Sequence, residues 1–358
     1  MAFLNGFLLI DAPAAALNNA REATDATYDN EVGVKLIRVG RETYPYVSAQ
    51  AFRYWLRDTL NADPVWAQHV APIFREAKVA YTDGNPIKYW DDDLLGYMRA
   101  QGKKATAKES RADGREQETV TTESLTRTSP FRVGTLVSLA PSSIVKDFGT
   151  MSRHDGDPVP HSHQFYRAVL KGQLSLDLGR AGVFTYTSKA GNMNLDDTRR
   201  QEAEAAGLEH LAEQKTYRLS REQRAERLAT LVAGLAELQG GAKQALHYTD
   251  VSPAVAILVV TRGGNNPFQY VVGEGERGAP RVNVAALKEA AVAWKDQLLS
   301  GLYVGWATGF YDAERDRLRA ALVELQTEHG LTFVLDHPRT VLRQLADDLR
   351  DVSRDWLN

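Results

Sequence analysis

At 358 residues with 43% hydrophobic residues, the chain is long enough to bury a sizeable core, as one elaborated domain or two closely packed ones. A formal net charge of −3 provides no bulk basic field, so any contact with a polyanion has to come from a local stripe of cations. The absence of cysteine excludes disulfides, thiolate zinc sites and cysteine nucleophiles, and fits a reducing, cytoplasmic setting.

The amino terminus, Met1 to Asp11, has no basic n-region and is interrupted by Asn5 and Gly6, so it reads as a strand and not as a signal peptide. Phe3 to Ile10 is expected to be central in a sheet and to lead through Leu17, Asn18 and Asn19 into a polar loop ending at Asn30. Val32 to Val39 is a second extended piece, with Lys35 and Arg38 among apolar residues. The next segment is the most informative. Pro45 holds Tyr44 extended, Ser48 can cap a helix by accepting a backbone N–H, and Phe52, Trp55, Leu56 and Leu60 recur at helical spacing. Gln50, Arg53 and Arg57 fall on one arc beside that stripe, near a helix end whose unpaired amides suit a phosphate. The plain alternative is a surface helix whose arginines lie along apolar neighbours.

Asp91, Asp92 and Asp93 are expected at another helix start. Gln101 to Ser124 is polar and low in large apolar residues, and its Lys103, Lys104, Lys108, Arg111 and Arg115 make it either a solvated loop or a basic flap. Phe131 to Leu139 reads as a strand, and Phe165 to Leu178 with Val183 to Thr187 as a hairpin around Gly179 to Gly182. Between Ser142 and His163 lies an excursion carrying Lys146, Arg153 and His154. Its His154, Asp155, Asp157, His161 and His163 lack a regular metal-ligand spacing and are read as a polar loop tip, with no metal or other cofactor assigned. Ser220 to Gln223 is a capping box opening a helix that Gly240 and Gly241 stop. Ala254 to Thr261 is a buried strand leading to Gly263, Gly264, Asn265 and Asn266, either a plain turn or a place where main chain approaches phosphate. Gly273 to Gly278 matches G-x-G-x-x-G, but Glu274, Glu276 and Pro280 make it a turn and not a dinucleotide site. Helices follow near Val284 to Leu299, Ala313 to His329 and Val341 to Trp356, with a strand at Leu331 to Leu335. The order of elements is α+β, of the ferredoxin-like or RRM kind with large insertions, and lacks the aromatic signatures of ordinary RRMs. No Ser nucleophile elbow, P-loop or kinase set is present.

The opening strand into Leu17-Asn18-Asn19, the Lys35 to Arg38 piece, Tyr44 to Arg53, Ser129-Pro130-Phe131-Arg132, Phe165 to Leu178 ahead of Gly182-Val183-Phe184, and the Gly263-Gly264 loop together resemble the CRISPR-associated autoregulator DevR family. These are backbone subunits of type I, here I-B-like, Cascade complexes. The resemblance implies a modified ferredoxin-like (RAMP) palm at 1–62, 129–141 and 188–358, a helical fingers insertion at 63–128 and a thumb excursion and hairpin at 142–187. It implies copies side by side along a CRISPR guide RNA, with target DNA bound by guide pairing, and as partners a large subunit, a guide-end capping subunit and a processing endonuclease. The implied guide-binding residues are Asn18, Asn19, Lys35, Arg38, Ser48, Gln50, Arg53, Arg57, Arg153, Gly263, Gly264 and Asn265. Type I members bind without cutting, so no enzyme activity is expected. The alternatives are a metal-dependent endoribonuclease using His154, Asp155 or Asp157, and a transcriptional autoregulator, for which no helix-turn-helix is recognisable.

Overall fold

The computed structural model describes residues 1–20, 31–76, 79–100, 124–152, 155–157, 159–187 and 192–357. Among them, ten strands form one sheet: β1 (Ala2–Ala15), β2 (Leu36–Val39), β3 (Glu42–Val47), β4 (Phe131–Val133), β5 (Leu136–Ser138), β6 (Ile144–Met151), β7 (Val159–Asp177), β8 (Val255–Arg262), β9 (Leu302–Trp306) and β10 (Phe333–Asp336). Seven helices accompany them: α1 (Ala49–Asn61), α2 (Trp90–Leu95), α3 (Asp197–Ala205), α4 (Arg221–Ala236), α5 (Val284–Ala293), α6 (Asp312–His329) and α7 (Pro338–Arg350).

The sheet runs β10-β9-β8-β1-β7-β5-β3-β2, and β4 and β6 also pair with β7. Its middle, β8-β1-β7-β5, with α1 after β1 and α4 after β7, has ferredoxin-like connectivity, so the fold is α+β as the element order implied. β1 and β8 are nearly continuous apolar runs because both of their faces are covered. Leu4, Leu8 and Ile10 pack with Ala256, Leu258 and Val260 into a core under α1, α4 and α7. Phe7 and Leu9 pack with Val255, Ile257 and Val259 into a second core under α5 and α6. A Cβ on Gly6 would lie 2.1 Å from the Ile257 carbonyl oxygen, so β1 and β8 meet this closely only because residue 6 has none.

Beyond the sheet, β6 pairs with the first half of β7, Ile144 opposite Tyr166 through Met151 opposite Val159, as a ribbon. It exposes Val145, Phe148, Met151 and Val159. Smaller sheets join 73–76 with 79–82, 97–99 with 125–127, and 183–185 with 216–218 and 209–211. These are fastened by buried ions. The Asp93 carboxylate accepts from Arg127, from Arg227 at 2.8 Å and from the Gly182 amide, and Arg199 pairs with Asp83 and Asp196.

Several expectations need correction. Val183 to Thr185 does not fold back on β7; it pairs with Thr216 to Arg218, and the hairpin partner of β7 is β6. His161 and His163 therefore stand on a strand and not at a loop tip. The strand expected over Phe131 to Leu139 is broken into β4 and β5, and the carboxy-terminal helix stops at Arg350. β9 and the smaller sheets were not anticipated. The expected basic flap and the loop ending at Asn30 lie almost wholly outside the described residues.

Candidate nucleic-acid interface

Ser48 adopts the extended geometry of an N-cap, and its Oγ accepts from the Ala51 amide at 3.3 Å. The amides of Ala49 and Gln50 have no acceptor among the described residues, so the end of α1 offers two donors and the positive pole of its dipole. Phe52, Trp55, Leu56 and Leu60 are buried, which fixes this end against the sheet.

Three other segments meet this end. Asn18 Nδ2 donates to Ser48 Oγ at 3.4 Å while the Asn18 carbonyl accepts from the Lys35 amide at 3.2 Å. Asn19 is exposed and bridges to Val34. The Val34 amide donates to Gln164 Oε1 at 3.3 Å, and the Ala242 amide to the Leu17 carbonyl at 3.0 Å. Asn18, Asn19, Lys35, Ser48 and Gln50 are thus brought to one corner, with the base of the ribbon and the turn after α4 beside it. Lys243, which sequence reasoning missed, joins this corner in left-handed backbone geometry (φ 52°), and burial lowers the pKa of its ammonium. Nothing in a lone Lys after Gly240-Gly241 signals that position.

Arg53 has a different use. Its guanidinium turns inward and donates to Ser129 Oγ at 3.1 Å, to the Phe131 carbonyl at 2.8 Å and to the Leu95 carbonyl. Burial, then the neighbouring Arg57, lowers its pKa. A guanidinium with these three acceptors staples α1 to α2 and β4 and is not held out for a ligand. Arg57 lies half-buried one turn on, where its charge favours ionised Asp91 against the desolvation that raises that acid. Arg38 is exposed on the β2 edge, opposite Thr43.

Gly263, Gly264 and Asn265 do not join the corner. Asn5 Nδ2 and Thr261 Oγ1 hold the Gly263 carbonyl at 3.1 and 2.8 Å, and the Asn266 side chain donates to the Gly6 carbonyl. Fourteen-residue β1 thus separates the glycine loop from Asn18 by the length of the sheet, roughly 40 Å. Near the loop, Arg132 stands half-exposed, 5.9 Å over the Phe3 ring and 3.9 Å from Asp177. Arg153 and His154 lie outside the described residues.

No family model and no curated protein matches the chain. Among solved structures, it is similar to a chain of a "CRISPR RNA-guided surveillance complex", with 13% identity, a TM-score of 0.52 and coverage of 97% of this chain and 99% of that one. A chain of a "CRISPR RNA-guided surveillance complex, pre-nicking" matches at 10% identity, TM-score 0.51 and the same coverage. The likeness is one of fold. It embraces the sheet, the ribbon and the smaller sheets together, since almost the whole of each chain is aligned.

Proposed function

We propose that the chain is a guide-RNA-binding backbone subunit of a CRISPR surveillance complex of the Cascade type, of the DevR, I-B-like kind. The observation that carries this reading is end-to-end likeness in fold to chains of such complexes. The corner at the start of α1 supports it: two amide donors, Gln50, Lys35 and the two asparagines are the hydrogen-bonding kit that follows a sugar-phosphate backbone without reading bases. In this reading the β6–β7 ribbon is the thumb, residues 63–128 hold the fingers, and copies stack along one guide that pairs with target DNA. The subunit binds and does not cut.

Expression together with a CRISPR array, purification and sizing of the co-purified nucleic acid tests the reading. Discrete guide-length RNA is expected. Nucleic-acid-free protein, or RNA of random length that washes off at moderate salt, refutes it. Periodic cleavage of complementary RNA refutes the non-catalytic assignment, and tight promoter binding without guide would favour an autoregulator.

A further inference from the structure

The pairing of β6 with β7 sets Asp147 directly opposite His163, so both side chains rise from the same face of the ribbon, with His163 Nε2 3.3 Å from Asp147 Oδ2. His161, two residues away on that face, lies over Gly149, where a Cβ would come within 2.7 Å of its ring. A third group arrives from elsewhere. His247, on the turn after α4, lies between the Phe165 ring, stacked at 5.0 Å, and the His163 ring, edge-on at 5.0 Å.

One ligand atom each from Asp147, His163 and His247 lies within 4.8 Å of the other two. His247 Nε2 is buried and has no hydrogen-bond partner among the described residues. A His–Asp ion pair accounts for His163 and Asp147 but leaves the His247 nitrogen unexplained, and an orphaned buried imidazole nitrogen costs free energy unless something occupies its lone pair or its proton.

We propose that Asp147, His163 and His247 form a zinc site that clips the ribbon to the turn after α4. Two imidazoles and a carboxylate are a borderline donor set suited to Zn²⁺, with a fourth position for water. Metal–ligand bonds of about 2.0–2.1 Å put tetrahedral ligand atoms about 3.4 Å apart, so the site closes by roughly an ångström on binding. Asp147 is exposed and can make that movement; His163 is buried and His247 is wedged between rings. The inference concerns the ribbon and the turn after α4 and stands or falls independently of RNA binding.

The test uses the full chain without an affinity tag, dialysed against chelator and then equilibrated with zinc at micromolar free concentration, with bound metal counted by mass spectrometry. One zinc per chain is expected, with affinity lowered in Asp147→Asn and in His247→Gln by more than the roughly 10- to 100-fold that loss of an outer-shell partner costs, and unchanged in the distant His210→Gln. Cobalt substitution should give the intense visible bands of a four-coordinate site, lost in the same two variants. Binding that neither substitution weakens, or no zinc retained at all, overturns the proposal. Should His247→Gln fail to fold, Asp147→Asn decides, because its exposed side chain can be changed without opening the core.

Discussion

Arg53 and Lys35 are cations on neighbouring segments, yet under the proposed function they serve in opposite ways. The Arg53 fork is satisfied by Ser129 and two carbonyls, so Arg53→Ala should leave those acceptors unpaired and lower stability by about 2–4 kcal/mol in urea denaturation. Lys35→Ala combined with Gln50→Ala should leave the denaturation midpoint almost unchanged while weakening RNA retention. Filter binding of both variants separates a structural arginine from a binding lysine, and the reverse pattern would remove the corner from consideration. Asp92 offers a second test. Burial, then the adjacent Asp91, raises its pKa from 3.8 to about 7 although Thr82 and the Asn85 amide donate to it. A carboxyl whose folded pKa is raised binds its proton more tightly in the native state, so its stabilising effect is complete below about pH 4 and is lost as pH rises towards 7. Asp92→Asn should therefore raise the thermal midpoint at pH 7 more than at pH 4, and an equal shift at both would show that this acid does not titrate as its burial implies.

Elements whose instructions lie within one segment were legible in the sequence. The Ser48 cap and the stripe Phe52, Trp55, Leu56, Leu60 announce α1, and the Ser220–Gln223 box announces α4, because both signals are local. Strand pairing was not legible. Val183 to Thr185 has the same pattern whether its partner is β7 or Thr216 to Arg218, and β6 hides in a stretch where glycine and prolines suggest a loop. The candidate site failed to read through for a related reason: the acceptors of Arg53 are mainly carbonyls, which every residue carries, and the distance from Asn18 to Gly263 depends on how far β1 runs. At this scale Ser48→Ala should cost about 1 kcal/mol and also release Asn18, so its loss of RNA affinity should exceed that expected from destabilisation alone. In the ribbon, Phe148 and Met151 are exposed apolar side chains. Phe148→Ser with Met151→Ser should keep the thermal midpoint and shorten the assemblies formed on guide RNA, measured by analytical ultracentrifugation.

For the whole molecule, the balance of charge decides what kind of binding is available. With a net charge of −3, the chain as a body repels a polyanion, and many of its arginines are already engaged: Arg127, Arg199, Arg224 and Arg227 are buried against carbonyls and aspartates. Under the proposed function, affinity for RNA would come from a short row of sites on each copy, repeated by stacking copies along the strand. Each cation that neutralises a phosphate of a single strand contributes about 0.7 to the slope of log K against log salt. Lys35→Ala should therefore reduce that slope by about 0.7, whereas Arg53→Ala, tested below its unfolding temperature, should leave it unchanged. Equal slopes in wild type and Lys35→Ala would mean that this lysine meets no phosphate, and the search for the strand would move to the other end of β1, where Arg132 stands half-exposed over Phe3.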